Sequence, residues 1–140
     1  MGRYKSVVCC DLVITKNENL ILLMKRQNTG TNDGEYELPG GHLEEGEDIF
    51  NCMIREAKEE LCISLKRNDL TLVHIMHHYK EGRINFIFQT TLKDKEPKIG
   101  ESNKCSELCW VDINHLPKET TKKVRKIIKN IQNKEYYDSM

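Results

Sequence analysis

The stretch PGGHLEEGEDIFNCMIREAKEEL, residues 39–61, restricts the possible folds of this chain more than any other part. A proline and two glycines lead into a segment whose periodicity predicts a helix from about residue 47 to residue 61. At 3.6 residues per turn, Glu56, Glu59 and Glu60 share one face of this helix. The neighbouring face is apolar and suited to packing on a sheet; it consists of Phe50, Ile54, Ala57 and Leu61. The fold must therefore place an acidic helix against a sheet, directly behind a Gly-Gly turn.

The segments around this helix predict an α+β fold. Alternating and continuous apolar runs predict strands at residues 5–15, 20–25, 70–79, 84–92 and 108–113. Polar loops are expected at 28–36 and 93–106. A second helix is expected after Pro117, with an apolar stripe formed by Val124, Ile127, Ile128 and Ile131. This order indicates a single domain over residues 1–140, an α/β/α sandwich with a mixed β-sheet between helices.

Charge and composition limit the classes of partner. The chain has 22 basic and 22 acidic residues, and this balance argues against binding to a nucleic-acid polymer. No apolar run approaches the length of a membrane span, and the segment MGRYKS lacks the apolar core of a signal peptide, so we expect a cytoplasmic protein without a membrane partner. The six cysteines form no C-x-x-C pair, which favours free thiols over disulfides or zinc.

The acidic face of the helix points to a cation. Like charges four residues apart destabilise a helix by a few tenths of a kcal/mol, and a hard divalent cation such as Mg²⁺ offsets their repulsion. A solvated acidic surface is the alternative explanation. The adjacent turn favours a metal site, because Gly40 and Gly41 allow a backbone carbonyl to come close to a ligand.

The spacing of these residues resembles the Nudix box, G-x5-E-x7-R-E-U-x-E-E-x-G-U, where U is aliphatic. The matching positions are Gly41, Glu47, Arg55, Glu56, Glu59, Glu60 and Ile63, with Ala57 as a small residue at the aliphatic position. Cys62 replaces the last glycine of the pattern, which would suit a left-handed helix end. A cysteine in that conformation would cost about 1–2 kcal/mol.

The resemblance implies a Nudix fold and hydrolysis of a nucleoside diphosphate linked to another group, with Mg²⁺ or Mn²⁺ as cofactor. It makes Glu56 and Glu60 metal ligands, together with the carbonyl of Gly40. Glu59 is implied as a further ligand or as a residue that orients water. Arg55 is expected to pair with Glu47 and to hold the turn against the helix.

A base must also accept the proton of the attacking water. Box glutamates are candidates, as are Glu101 and Glu107 in the loop before the last strand, and the resemblance to MutT-like enzymes favours Glu107. For substrate binding, we expect Arg26 to grip a phosphate, Asn85 to read a base and Tyr36 to stack on one. A solvated arginine and a core aromatic remain the alternatives for Arg26 and Tyr36.

These features predict a MutT-like pyrophosphohydrolase that converts a nucleoside triphosphate to the monophosphate and pyrophosphate. One alternative is hydrolysis of another nucleoside diphosphate derivative, such as a sugar or a dinucleotide. A second is a non-catalytic module that senses a nucleotide, although the intact Glu56, Glu59 and Glu60 favour an enzyme. We expect a small nucleotide as partner, and a monomer or homodimer.

Overall fold

The computed structural model describes residues 2–140, and these form one mixed sheet with two α-helices and two short 3₁₀ turns. The strands are β1 (Val7–Lys16), β2 (Leu20–Arg26), β3 (Tyr36–Glu37), β4 (Gly40–His42), β5 (Thr71–His78), β6 (Arg83–Thr91), β7 (Cys105–Asp112) and β8 (Tyr137–Ser139). The helices are α1 (Ile49–Leu61) and α2 (Lys122–Gln132). The predicted α+β sandwich is confirmed.

Two neighbouring strands separate to make room for the site. The sheet order is β3-β2-β1-β6-β5-β8, with β7 on the other side of β2. Strands β1 and β2 pair only next to their connecting turn, at Thr15–Ile21 and Lys16–Leu20. Beyond that point β1 pairs with β4 instead, through Cys9–His42 and Asp11–Gly40. The segment from β3 to β4 therefore fills the gap between the two diverging strands.

Helix α1 covers one face of the sheet. Asp48 caps it by accepting a 2.8 Å hydrogen bond from the Asn51 amide, and the helix therefore begins at Ile49 rather than at residue 47. Its apolar face packs on the sheet, with the Phe50 and Phe88 rings 4.8 Å apart. The buried residues on this side include Cys10, Leu12, Ile14, Cys52, Met53, Ala57 and Leu61.

Helix α2 covers the opposite face. Thr121 caps it, and Val124, Ile127 and Ile128 are buried against the other side of the sheet. Side chains of β1 alternate between the faces, with Leu12 packing under α1 and Val13 under α2. This alternation explains why a strand buried on both faces is an almost continuous apolar run.

Cys62 ends α1 in the left-handed conformation, with φ 57° and ψ 31°. Its amide donates a 3.1 Å hydrogen bond to the Lys58 carbonyl. This is the helix end that the missing glycine of the box would suit, so the exposed Cys62 takes up the strained backbone.

Several boundaries differ from the sequence-based expectation. Strand β7 begins at Cys105 instead of residue 108, and the two- or three-residue strands β3, β4 and β8 had no signal in the sequence. Such short strands depend on pairing with distant segments rather than on their own periodicity. All six cysteines are free thiols, as expected. Within residues 2–140, no helix is long and apolar enough to cross a membrane.

Candidate active site

Arg55 organises the acidic face of α1. Its guanidinium binds both oxygens of Glu47, at 2.7 and 3.1 Å, and donates a 3.0 Å hydrogen bond to the His42 carbonyl. These contacts tie β4 and the following loop to the helix, as the sequence predicted for the Arg55–Glu47 pair. The hydrogen bond from Arg55 lowers the pKa of Glu47 to about 2, and the glutamates raise the pKa of Arg55.

The same arginine contacts two further box glutamates. Its Nη1 atom lies 2.9 Å from Glu56 Oε1 and 3.2 Å from Glu59 Oε2. Glu56 is mostly buried, whereas the side chain of Glu59 is 49% exposed. One guanidinium therefore hydrogen-bonds to three carboxylates and lies 3.6 Å from a fourth, that of Glu44, so the acidic charge of this face is only partly compensated.

The Gly-Gly turn is required by space. A Cβ atom on Gly41 would lie 2.2 Å from Glu56 Oε1, and one on Gly40 would lie 2.1 Å from the Cys10 carbonyl oxygen. Neither position has room for a side chain. The two glycines thus bring the backbone of β4 between β1 and the carboxylates of α1.

Glu60 lies one turn beyond Glu56 on the same face and is the most perturbed carboxyl of the site. Its pKa is raised to about 9, mainly by burial and then by the hydrogen bond with Glu56 and the charges of Glu56 and Glu101. A hydrogen bond from the Gly40 amide acts in the opposite direction. Burial beside Glu56 thus disfavours the charged form of Glu60.

The donor set fits a hard divalent cation. Carboxylate oxygens are preferred by Mg²⁺, which keeps several waters and binds through one or two carboxylates plus substrate phosphates. Glu56 and Glu60 would provide that pair, and their role as ligands remains a prediction. Among residues 2–140, no group of three or more His, Cys, Asp or Glu side chains is arranged to hold a metal, so a fully protein-coordinated site is absent from the described part of the chain. The Gly40 carbonyl as a ligand remains a prediction.

The loop between β6 and β7 completes the acidic end. The amides of Lys98 and Gly100 donate to the carbonyls of Leu61 and Glu60, at 2.9 and 2.8 Å. A Cβ atom on Gly100 would lie 2.0 Å from the Glu59 carbonyl oxygen, so the loop packs directly on the end of α1. This docking brings Glu101 beside Glu60, at the wall of the cavity described below.

Glu107, the loop glutamate favoured by the sequence, is placed elsewhere. It lies within β7 opposite Lys25 and accepts a 3.1 Å hydrogen bond from the Tyr36 hydroxyl. It is not among the residues that line the cavity. The sequence did not show this because the choice between Glu101 and Glu107 depends on how the loop docks on α1.

The three residues predicted to bind the substrate also differ in whether they line the cavity. Arg26 lines the cavity and donates a 2.8 Å hydrogen bond to the Thr31 carbonyl. Asn85 lies at the bottom of the cavity, 2% exposed. Tyr36 is buried and is not part of the cavity wall; its ring carries the Lys25 ammonium 5.6 Å above it. Its placement matches the alternative of an aromatic in the core.

The bottom of the cavity contains ionic residues that the sequence pattern did not indicate as functional. The ammonium of Lys123 lies 3.8 Å from Asp11 Oδ2 and 3.7 Å from Glu37 Oε2, and both carboxylate side chains are 8% exposed. Burial raises the pKa of Glu37. Burial lowers the pKa of Lys123, but the charges of Asp11 and Glu37 outweigh this effect and raise it. The available signal was Asp11 itself, a carboxylate in the middle of the apolar run VVCCDLVI.

One cavity of about 600 Å³ connects these regions. We call the part lined by Arg55, Glu56, Glu59, Glu60 and Glu101 its outer end, and the part lined by Asp11, Glu37, Asn85 and Lys123 its inner end. Its volume is that of a site for a small molecule.

Comparison with known proteins agrees with this geometry. The model of the NUDIX domain family matches residues 3–131. An ADP-ribose pyrophosphatase from Methanocaldococcus jannaschii is 35% identical over 114 residues, which cover 79% of this chain but only 64% of that relative. The crystal structure of a MutT NUDIX hydrolase from Burkholderia pseudomallei superimposes with a TM-score of 0.79 at 27% identity, covering 89% of this chain and 97% of that one. The NUDIX domain of Shewanella oneidensis NrtR, solved with ADP ribose, shares the fold, with a TM-score of 0.73 at 14% identity and coverage of 91% and 87%. The chain therefore belongs to the Nudix hydrolase family and is MutT-like.

Proposed function

We propose that this protein is a pyrophosphohydrolase, dependent on Mg²⁺ or Mn²⁺, that cleaves a nucleoside triphosphate to the monophosphate and pyrophosphate. The observation that carries the proposal is the acidic face of α1, where Glu56 and the buried Glu60 lie beside a Gly-Gly turn that has no room for side chains. A solvated acidic helix would hold its carboxylates apart in water. At this buried face, a divalent cation bound to Glu56 and Glu60 offsets the cost of burying their charges.

The residues at the outer end have different roles, which follow from their positions. Glu56 and Glu60 hold the cation, while Arg55 and Glu47 fix the loop and the helix that carry them. When bound, a divalent cation lowers the pKa of a bound water and neutralises charge on the leaving phosphate. Arg55 also limits where Glu56 and Glu59 can point, because it donates to both.

The proton of the attacking water needs an acceptor at the same place. Glu101 faces Glu60 across the docked loop, and Glu59 is partly exposed at the rim. Glu107 does not line the cavity and accepts a hydrogen bond from the buried Tyr36 instead. We therefore propose Glu101 as the base or as a further ligand, in preference to Glu107, with Glu59 orienting water.

Cationic side chains line part of the cavity and are suited to binding phosphates. Lys25, Arg26 and Lys104 line the cavity wall between the loops, in a chain whose overall charge is zero. The planar guanidinium of Arg26 suits a phosphate. A local basic wall beside an acidic metal end supports a substrate that carries several phosphates.

A second candidate is hydrolysis of ADP-ribose or a similar nucleoside diphosphate derivative. The relative from Methanocaldococcus jannaschii, 35% identical, is named for that activity. The two candidates share the metal end and the phosphate wall. They differ in the group attached beyond the diphosphate.

A nucleotide panel with Mg²⁺ tests both. Triphosphates are read by phosphate release after adding inorganic pyrophosphatase, and ADP-ribose is read by phosphate release after adding a phosphomonoesterase. We expect turnover of at least one triphosphate and none in excess chelator. Turnover of ADP-ribose alone would replace the first candidate with the second. Absence of turnover across the panel, or full turnover in chelator, would overturn the proposal.

A further inference from the structure

The turn that carries Glu101 is folded around the carbonyl of that residue. The amides of Lys104 and Cys105 both donate to the Glu101 carbonyl, at 3.0 and 3.1 Å. The ammonium of Lys104 lies 3.8 Å from Glu101 Oε2. Glu101 and Lys104 line the cavity, whereas Ser102 and Asn103, which lie between them, are not among its lining residues. We call residues 101–105 the Glu101 turn; its middle residues lie outside the cavity wall.

The middle of the Glu101 turn is bound by the residues that follow β2. Gln27 comes directly after this strand, and its Nε2 atom donates a 2.6 Å hydrogen bond to the Ser102 carbonyl. The amide of Gln27 donates a second hydrogen bond, of 2.9 Å, to the Lys104 carbonyl. Asn28 adds a weaker contact, 3.2 Å from its Nδ2 atom to the Asn103 carbonyl. Gln27 thus holds the turn through its side chain and its main chain.

An irregularity in the sheet explains why the turn depends on this contact. Lys25 pairs with Glu107, but the next residue, Arg26, pairs with Cys105, so β7 has one extra residue at this point. A bulge of this kind bends its strand and locally disrupts the ladder of hydrogen bonds. The bonds made by Gln27 extend the attachment of β2 past the bulge, to a segment that regular pairing no longer orients.

The contact with α1 does not orient the turn by itself. The Gly100 amide bonds to the Glu60 carbonyl at 2.8 Å, and Glu101 is the next residue. This bond fixes the point at which the turn begins. Because glycine permits many backbone conformations, the direction of the chain after Gly100 must be set by contacts on the other side of the turn. Gln27 makes those contacts.

We infer that Gln27 is a positioning residue, whose side-chain amide holds the Glu101 turn so that the Glu101 carboxylate stays beside Glu60 at the outer end. Gln27 is not among the residues that line the cavity, so it acts through Glu101 rather than on the substrate. The preceding residue, Arg26, does line the cavity. The inference rests on the proposed hydrolytic function and adds a residue that this function requires outside the cavity.

Gln27→Met is the decisive variant, because methionine has nearly the same length, lacks the N–H donor and adds no charge. We expect kcat on the best nucleotide to fall about tenfold, since a small displacement of a reacting group is costly, while KM changes by less than about twofold. Gln132→Met is the matched control. It removes a glutamine donor that bonds to Asn114 Oδ1 at 3.3 Å on α2, and it should keep the wild-type kcat.

A double-mutant cycle separates positioning from a general loosening of the fold. In a Glu101→Gln background, Gln27→Met should lower kcat by less than about twofold, because the carboxylate through which Gln27 acts is already gone. A loosened fold would lower kcat by the same factor in both backgrounds. Equal factors, a kcat of Gln27→Met within about twofold of wild type, or a wild-type kcat in Glu101→Gln would each overturn the inference.

Hydrogen–deuterium exchange in excess chelator separates this inference from the proposed function. Amides of the Glu101 turn should exchange about threefold or more faster in Gln27→Met than in the wild type, and at the wild-type rate in Gln132→Met. If no nucleotide is turned over with Mg²⁺, the proposed function fails, while faster exchange would still support the hold of Gln27 on the turn. Equal exchange in Gln27→Met and the wild type would overturn the inference whatever the turnover.

Discussion

Both ends of the cavity contain buried carboxylates, but the charge of these carboxylates is balanced differently at the two ends. At the outer end Arg55 alone contacts Glu47, Glu56 and Glu59, while Glu60 has no cation and its pKa rises to about 9. At the inner end, Asp11 and Glu37 lie on either side of one lysine. The outer end therefore has surplus acid, whereas the charges at the inner end are nearly balanced. A count of acidic residues in the sequence does not distinguish the two.

The largest expected effect comes from Glu60→Gln, which keeps the size of the side chain and removes its charge. Turnover should fall about a hundredfold or more, because a charged ligand beside the reacting phosphates is lost. Stability of the metal-free protein should not fall, since glutamine removes a buried carboxyl that must keep its proton in the folded state. Initial rates and melting temperatures with and without Mg²⁺ measure both effects. Glu45→Gln, an exposed neighbour, is the control. A near wild-type rate for Glu60→Gln at limiting Mg²⁺ would make the outer end an ordinary acidic surface.

The next prediction compares Glu101, in the loop before β7, with Glu107, in β7 itself. Glu101→Gln should reduce kcat by roughly a hundredfold, because Glu101 lies beside Glu60 at the outer end. Glu107→Gln should have a much smaller effect, because its carboxylate bonds to Tyr36 outside the cavity. Rates measured across pH at saturating Mg²⁺ show which of the two variants loses more activity. A larger loss of activity in Glu107→Gln than in Glu101→Gln would indicate that Glu107, not Glu101, is the base or further ligand.

Removing the lysine tests whether the inner end is balanced internally. Lys123→Met should lower the free energy of unfolding by about 3 kcal/mol, because two buried carboxylates lose their counter-ion. Adding Glu37→Gln should recover part of this loss. Lys122→Met, on the exposed side of α2, should change stability by less than about 0.5 kcal/mol. Urea unfolding in chelator measures all three, and equal stability of both lysine variants would show that Lys123 is not the counter-ion.

The pH dependence of stability should reveal the surplus acid at the outer end. Glu60 has a pKa of about 9 in the folded protein and 4.5 as its ordinary value. Between these values the folded state keeps a proton that the unfolded chain releases, so the free energy of unfolding contributed by Glu60 falls as pH rises. Thermal melts of the metal-free protein from about pH 5 to about pH 9 should show this decline, and Glu60→Gln should remove it. An identical decline in the variant would assign it to other groups.

The smallest effect concerns the helix end that supports the outer end. Cys62→Gly should raise the free energy of unfolding by about 1 kcal/mol, because glycine adopts the left-handed conformation at φ 57° without steric cost. Cys62→Ser keeps that cost and should be nearly neutral. Urea unfolding curves compare the two variants, and equal midpoints would show that the conformation carries no strain.

Helix α1 illustrates what local sequence is able to predict. Its acidic face and its approximate extent follow from spacing along one helix, where residues three or four apart are neighbours. The pairing of Arg55 with Glu47, which precedes the helix, was implied by the resemblance to the Nudix box. The need for glycine at Gly41 comes from Glu56 in the same stretch, whereas at Gly40 it comes from Cys10 in β1. The strands β3 and β4 were not anticipated, although they position these glycines, because each is too short to have a periodic pattern.

The sequence by itself determined the family, the order of the main elements and the acidic helix behind a Gly-Gly turn, since these depend on periodicity and fixed spacing within short segments. Only the tertiary structure decided that Glu101 rather than Glu107 faces the site, that Tyr36 is a core residue, and that Asp11, from the first strand, meets Lys123, from the last helix. Those contacts join segments far apart in the chain. Their geometry depends on how β1 and β2 diverge and on how a loop docks on the end of α1. Neither of these features can be predicted from a pattern along the chain.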